Sequence, residues 1–219
     1  MNMQLDVPVI GILRGIEPDF FGPLMEAAFG AGLQAIEITM NTEGAEEIVA
    51  ANRTKVEPGK YLGMGTIRNV DEAKRGAEAG AMFFVTPNCN SEVIAFARRR
   101  NIPVIGGALT PTEVYNAWQA GASMVKVFPC RALGGPRYIR ELLGPFDHIP
   151  LVAVGGVSLD NLEEYLAAGA SGVGVGMSLF GYQAIVDRDL AALSRNVATF
   201  VERCRSAARK PAGVALGPG

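Results

Sequence analysis

Short apolar segments rich in Val and Ile recur along the chain at nearly even spacing, with amphipathic segments between them. We predict that the apolar segments are strands, because buried parallel strands are short, continuous and rich in β-branched residues. These segments are 7–13, 34–40, 61–66, 81–87, 102–107, 123–129, 150–156 and 171–177. Helices are predicted at 70–80, 91–100, 111–121 and 159–169.

Residues at the ends of these helices support the assignment. Thr110-Pro111-Thr112-Glu113 is a capping box with Pro at the first helical position. Several helices end in the same pair of residues, which supplies a left-handed glycine cap: Ala31-Gly32, Ala79-Gly80, Ala120-Gly121 and Ala168-Gly169. Strands that alternate with helices every 20 to 27 residues or so imply parallel pairing with right-handed crossovers.

Eight such units in roughly 200 residues favour an α/β fold with a single (β/α)8 TIM barrel. An open dinucleotide-binding sheet would usually carry G-x-G-x-x-G after its first strand, and this sequence has none there. We predict that the barrel domain covers 1–207. The segment 208–219 is rich in Gly and Pro and is predicted to be a flexible tail.

The composition excludes several classes of protein. The 219 residues include 20 basic and 22 acidic ones, which gives a net charge of −2 and no electrostatic footprint for nucleic acid or a membrane surface. No apolar stretch approaches the roughly 20 residues of a membrane helix. The N-terminus has no basic region or cleavage signature, and three unevenly spaced cysteines favour free thiols. We therefore expect a cytoplasmic protein.

Two predicted strands carry an ionisable residue in their middle. Glu37 shares its parity with Ala35, and Lys126 shares its parity with Met124, while the alternate positions are Ile or Val. Because β-branched residues suit the layer between sheet and helices, we expect Glu37 and Lys126 to point into the barrel.

Burying an isolated charge is very costly, so these two side chains must pair with each other, change their pKa values, or both. One interpretation is a structural salt bridge. The other is catalytic: a desolvated lysine with a lowered pKa attacks carbonyl carbons, and a neighbouring carboxylate transfers protons. Lys126 is then the nucleophile and Glu37 its proton-transfer partner.

Glycines at the ends of the last two predicted strands indicate a site for an anion. Gly155-Gly156 follows the seventh strand, and Gly176-Met177-Ser178 follows the eighth. The loops after these two strands are where TIM barrels bind phosphate through backbone N–H groups. Tight turns alone are the alternative reading of each motif.

Two further residues are candidates for binding substrate. Arg14 follows the first strand, where its guanidinium can bind a carboxylate or a phosphate; a solvated loop arginine is the alternative. Thr66 offers a hydroxyl beside a flexible backbone, with ordinary turn chemistry as its alternative. His148, the single histidine, lies in a predicted loop and is expected at the surface.

Up to about residue 206, the sequence resembles the 2-keto-3-deoxy-6-phosphogluconate / 6-phosphogalactonate aldolase family. The motifs that carry the resemblance are Glu37-Ile38-Thr39-Met40-Asn41, Gly63-Met64-Gly65-Thr66, Thr86-Pro87-Asn88, Lys126-Val127-Phe128-Pro129 and Gly155-Gly156. The resemblance implies a class I aldolase in which Lys126 forms a Schiff base and Glu37 acts as general acid/base through a water. It implies no metal or organic cofactor, a phosphorylated keto sugar acid as substrate, and a homotrimer.

The resemblance also implies roles for other residues. Thr66 would hold the pyruvate carboxylate, while Pro87 and Phe128 would form the wall around the imine. Arg14 belongs with this group, although the sequence leaves open whether it meets the carboxylate or the phosphate. The residues implied to bind the phosphate are Gly155, Gly156, Gly176 and Ser178.

Two positions bear on the choice of substrate. Phosphogluconate-type members usually have Arg where this chain has Asn41 and Thr where it has Val154, so the chain looks more like the phosphogalactonate branch. A Thr hydroxyl can hydrogen-bond one C4 epimer, whereas Val leaves room for the other. We expect cleavage of 2-dehydro-3-deoxy-6-phosphogalactonate to pyruvate and glyceraldehyde 3-phosphate, with some activity on the 6-phosphogluconate epimer.

Other functions stay open on the sequence alone. A 2-dehydro-3-deoxy-6-phosphogluconate or 4-hydroxy-2-oxoglutarate aldolase would use the same lysine. A phosphosugar isomerase or synthase would keep the glycine loops but would not need an inward lysine. A non-catalytic sugar-phosphate sensor would use the Glu37–Lys126 pair only for structure.

Overall fold

A computed structural model describes Met3 and residues 5–208. Its eight strands are all parallel and pair in chain order to form a closed barrel, in which the last strand pairs with the first. The strands are β1 (Val9–Leu13), β2 (Ala35–Thr39), β3 (Tyr61–Gly65), β4 (Phe84–Val85), β5 (Val104–Ala108), β6 (Met124–Val127), β7 (Leu151–Val154) and β8 (Gly172–Val175). The predicted (β/α)8 barrel is confirmed.

Helices surround the barrel, and the last of them packs against the first. The helices are α1 (Pro18–Gly30), α2 (Ala45–Asn52), α3 (Val70–Glu78), α4 (Ser91–Arg99), α5 (Pro111–Ala120), α6 (Pro136–Leu143), α7 (Leu162–Ala167), α8 (Met177–Phe180), α9 (Tyr182–Val186) and α10 (Leu190–Ala208). Single 3-10 turns follow α2 at Arg53–Lys55 and β6 at Cys130–Leu133.

The predicted helix ends agree with the structure at most positions. Thr110 accepts the N–H of Glu113 and the reciprocal bond completes the capping box. Gly32, Gly80, Gly121 and Gly169 all adopt positive φ angles. The helix predicted from residue 159 begins only at Leu162, because the Asn161 side chain accepts the N–H of Ser158 and closes a turn there.

Two separate apolar cores follow from the alternation of residues along the strands. The larger core lies between the barrel and the helices and includes Ile36 and Val125. The smaller core fills the barrel and includes Ile10, Phe83 and Val152. A filled interior makes the barrel rigid, so side chains at its upper end are held in fixed positions.

Within the described residues, no helix is both long and apolar enough to cross a membrane. The flexible tail predicted for 208–219 lies outside the described residues, except that Ala208 ends α10.

Candidate active site

Lys126 and Glu37 both lie inside the barrel, as their strand parity predicts. Lys126 on β6 is 6% exposed and Glu37 on β2 is 1% exposed. Both line one small cavity with Ile12 and Val154. The two ionisable groups are therefore removed from water within an apolar enclosure.

This pair is not a salt bridge. The ion pairs found among the described residues do not include Glu37 with Lys126. Glu37 Oε2 is buried and has no hydrogen-bond partner there. Desolvation raises the pKa of Glu37 and lowers the pKa of Lys126, and the attraction between the two groups offsets only part of each change. Both shifts favour the uncharged forms, a neutral amine and a carboxylic acid.

Arg14 supplies a third charge at this end of the barrel. Its side chain is exposed, and its cation lowers the pKa of both Glu37 and Lys126. Repulsion between the two cations makes the neutral amine of Lys126 easier to form. Arg14 therefore lies close enough to Lys126 and Glu37 to act on both, while its contact with substrate stays a prediction.

A buried pair of hydroxyls holds the loop that carries Arg14. Thr42 Oγ1 accepts the N–H of Gly15 at 3.0 Å and shares a hydrogen bond with Thr39 Oγ1, also 3.0 Å away. Thr39 and Thr42 are 0% and 5% exposed. This link joins the loop after β1 to β2, the strand of Glu37. Sequence analysis did not identify Thr42, because Gly15, whose N–H it accepts, lies 27 residues away.

Thr66 follows β3 in a conformation that few β-branched residues adopt. Its φ is 57°, in the left-handed region. The preceding residue, Gly65, lies against the Glu37 carboxyl group: a β-carbon there would be 2.5 Å from Glu37 Cδ. Thr66 therefore directly follows the residue that packs against the Glu37 carboxyl group, and residues in such strained conformations often cluster at functional sites.

Phe128 and Pro87 lie around the lysine, as predicted. Lys126 Nζ is 5.0 Å from the centre of the Phe128 ring. Gly107 is the partner of Lys126 in the neighbouring strand, and a β-carbon on Gly107 would be 2.5 Å from the backbone nitrogen that follows Pro87. The absence of a side chain at Gly107 lets the segment with Pro87 cross next to the lysine.

Thr86 fixes this segment. Its hydroxyl accepts the N–H of Gly107 at 2.8 Å and donates to the carbonyl of Asn88, also at 2.8 Å. Thr86 is completely buried. Sequence analysis found the motif with Thr86 but assigned the residue no role, since its bond to Gly107 on another strand leaves no local pattern.

The glycine loops after β7 and β8 come together at the same end of the barrel. Gly155 and Gly156 have φ angles of 97° and 83°, which residues with side chains rarely adopt. Ser178 Oγ donates to the carbonyl of Val157 at 3.4 Å, and Gly176 precedes α8. The structure thus brings together the two loops that are predicted to bind an anion.

The two predicted specificity positions differ in their surroundings. Val154 is 7% exposed and lines the cavity that contains Lys126 and Glu37. Asn41 is exposed, in the loop after β2. Of these two residues, only Val154 therefore lines the cavity that contains Lys126.

The remaining reactive residues lie elsewhere. His148 is exposed, as predicted. Cys89, Cys130 and Cys204 are free thiols, also as predicted. No group of three His, Cys, Asp or Glu residues in the described part of the chain is arranged to hold a metal ion.

The influence of Arg14 on Lys126 leads to a test by NMR. We expect the Cε resonance of Lys126 to titrate at a lower pH than that of an ordinary lysine, because burial disfavours the ammonium form. Arg14→Gln should raise the midpoint, since a repelling cation is removed, and Glu37→Gln should lower it, since an attracting carboxylate is removed. The matched control Arg99→Gln, on an exposed arginine at the far end of α4, should leave it unchanged. A midpoint that moved in the opposite direction in either site variant would contradict this electrostatic account.

Comparison with known proteins agrees with this geometry. Residues 2–196 match the family model described as "KDPG and KHG aldolase". The chain is 36% identical to 2-dehydro-3-deoxy-6-phosphogalactonate aldolase of Escherichia coli, over 94% of this chain and 99% of that protein. It is also 36% identical to 2-dehydro-3-deoxy-phosphogluconate aldolase of Pseudomonas aeruginosa, over 90% of this chain and 88% of the relative.

Solved structures give the same result. A structure described as native KDPGal superposes with a TM-score of 0.88 at 34% identity, covering 96% of this chain and all of the other. KDPG aldolase from Legionella pneumophila, with pyruvate captured as a covalent carbinolamine, superposes with a TM-score of 0.79 at 26% identity, over 91% of this chain and 93% of the other. The protein belongs to the KDPG and KHG aldolase family.

Proposed function

We propose that the protein is a class I aldolase that reversibly cleaves 2-dehydro-3-deoxy-6-phosphogalactonate to pyruvate and D-glyceraldehyde 3-phosphate. The observation that carries this proposal is a buried lysine with a lowered pKa that shares one small cavity with Glu37, whose Oε2 is buried and has no hydrogen-bond partner among the described residues. Family membership and the pyruvate carbinolamine captured in the Legionella relative support imine chemistry at Lys126.

The reaction begins with formation of the imine. The neutral amine of Lys126 attacks the C2 carbonyl carbon of the keto acid and forms a carbinolamine. Glu37, in its protonated form, which its raised pKa favours, gives a proton to the carbinolamine hydroxyl through a water. Water leaves and an iminium ion remains, linked to Lys126. The ionised form of Glu37 is then the base for the next step.

Cleavage follows because the iminium ion accepts electrons. Glu37 removes the proton from the C4 hydroxyl, the C3–C4 bond breaks, and the bonding electrons move towards the iminium nitrogen. The products of this step are glyceraldehyde 3-phosphate and an enamine. Protonation at C3 by Glu37 gives the pyruvate imine, and hydrolysis releases pyruvate and restores Lys126. One carboxyl group therefore acts alternately as acid and base.

The surrounding residues hold the two ends of the substrate. Arg14 and the backbone at Thr66 bind the carboxylate, with Pro87 and Phe128 on either side of the imine. The phosphate, at the other end, is bound by Gly155, Gly156, Gly176 and Ser178. Support for this division comes from the Arg14 cation beside Lys126 and from the contact between the two glycine loops.

Trapping of the imine tests the proposal. Borohydride reduction in the presence of pyruvate should attach a reduced pyruvyl group to Lys126, located by peptide mass spectrometry. Lys126→Ala should show no adduct and lose at least about a thousandfold in kcat, because a covalent pathway is removed. Lys60→Ala, at a lysine bound to backbone carbonyls, is the control and should react as the wild type does. An unmodified Lys126 at saturating pyruvate, or full turnover by Lys126→Ala, would refute the proposal.

The preference for the galactonate epimer depends on Val154. The valine lines the cavity beside Lys126 and offers no hydrogen bond to a substrate hydroxyl. The relatives from E. coli and P. aeruginosa carry different substrate names at the same identity, so overall similarity supports activity on both epimers.

Val154→Thr tests this preference. The added hydroxyl should shift the ratio of kcat/KM for the two C4 epimers towards the gluconate form. The expected change in the difference between their activation free energies is about 1–3 kcal/mol. The matched control Val56→Thr, at a half-buried valine outside the lysine cavity, should leave the ratio unchanged. An unaltered ratio in Val154→Thr would contradict this account of specificity.

We also propose that the protein is a cytoplasmic homotrimer. The family resemblance supports the trimer, and exposed apolar residues such as Tyr182 and Val186 on α9 supply surface that another copy would cover. Three free thiols support a reducing compartment.

Sedimentation equilibrium tests the trimer and should give three times the mass of one chain. A monomeric mass at micromolar concentration would exclude the trimer.

A further inference from the structure

Arg131 lies directly on the glycine pair after β7. A β-carbon at Gly156 would be 2.6 Å from Arg131 Cβ, so the arginine stem occupies the space that the glycine leaves. The backbone N–H of Arg131 donates to the carbonyl of Gly155 at 3.1 Å. Two independent contacts, one from the backbone and one from the side chain, therefore hold Arg131 against this loop.

Arg131 has no carboxylate partner within the described part of the protein. The side chain is exposed, and none of the ion pairs there includes it. Arg188, by contrast, is paired with Glu17 and Asp19. A guanidinium with a packed stem and no carboxylate partner remains available for an anion.

The proposed phosphate site needs such a cation. The glycine loops and Ser178 provide neutral N–H and O–H donors, whereas a phosphate monoester carries about 1.5–2 negative charges at neutral pH. The net charge of the chain, −2, provides no general attraction. Arg14, the other arginine of the site, acts on Lys126 and Glu37 at the carboxylate end.

The contacts also place Arg131 on the correct side of the site. Its stem covers Gly156, and the next residue, Val157, accepts the hydroxyl of Ser178. A phosphate bound between the glycine pair and Ser178 would therefore lie next to Gly156, the residue that the Arg131 stem covers. We propose that Arg131 is a further substrate-binding residue, which pairs with the phosphate of the sugar acid and selects for phosphorylated substrates.

This inference rests on the proposed function, and it separates two tasks of one side chain. The aliphatic stem covers Gly156, and the guanidinium binds the phosphate. Arg131→Met keeps the stem and removes the charge, whereas Arg131→Lys keeps the charge and loses the bidentate geometry. Arg99→Met is the matched control. Arg99 is exposed and lies at the C-terminal end of α4, at the opposite end of the barrel from the proposed phosphate site.

The first measurement is the ratio of kcat/KM for the phosphorylated keto acid to kcat/KM for its unphosphorylated counterpart. Arg131→Met should lower this ratio about tenfold, because one charge-assisted interaction with phosphate is lost. Arg131→Lys should lower it by less, and Arg99→Met should not change it. A ratio equal to wild type in Arg131→Met overturns the proposal and shows that only the stem matters.

The second measurement is direct binding of inorganic phosphate by calorimetry, which needs no turnover. The dissociation constant should rise about tenfold in Arg131→Met, with a smaller dependence on salt than in the wild type. Equal binding by wild type and Arg131→Met, or no binding by the wild type, overturns the proposal. If the aldolase function itself were wrong, imine trapping would fail while the phosphate result still decided the role of Arg131.

Discussion

The chemistry of this barrel depends on the cost of burying two ionisable groups that do not neutralise each other by an ion pair. Lys126 and Glu37 lie where water is excluded, and Glu37 Oε2 has no hydrogen-bond partner in the described residues. An unsatisfied buried carboxyl group lowers stability. The same desolvation that is unfavourable for folding makes the amine nucleophilic and the carboxyl group able to donate a proton, so stability and reactivity are opposed at this point.

The rest of the site holds the groups around Lys126 and Glu37 in fixed positions. Hydroxyls tie the rim together, with Thr42 joining the loop of Arg14 to β2 and Thr86 joining the segment of Pro87 to β5. These bonds connect neighbouring strands at the end where the loops would otherwise be free. A charged group acts on its neighbours with a strength set by distance, so a fixed rim gives Arg14 a fixed effect on the lysine.

Much of the fold and part of the site could be predicted from the sequence because their signals are local. Alternation along a strand is enough to point Glu37 and Lys126 inward, and glycine after alanine marks the helix ends. Thr42 and Arg131 could not be found in this way, since each acts on residues more than twenty positions distant. Their positions depend on how the loops meet after the barrel has closed.

Gly65 and Gly107 lie where a side chain would collide with a neighbouring group. A methyl group at Gly65 would strike the Glu37 carboxyl group, and one at Gly107 would strike the chain beside Pro87. Gly65 is therefore kept free of a side chain by a reacting group, and Gly107 by the backbone of the segment that carries Pro87. A descendant that abandoned carbon–carbon cleavage and lost Glu37 would be released from the restriction at Gly65, where a larger side chain would then fit.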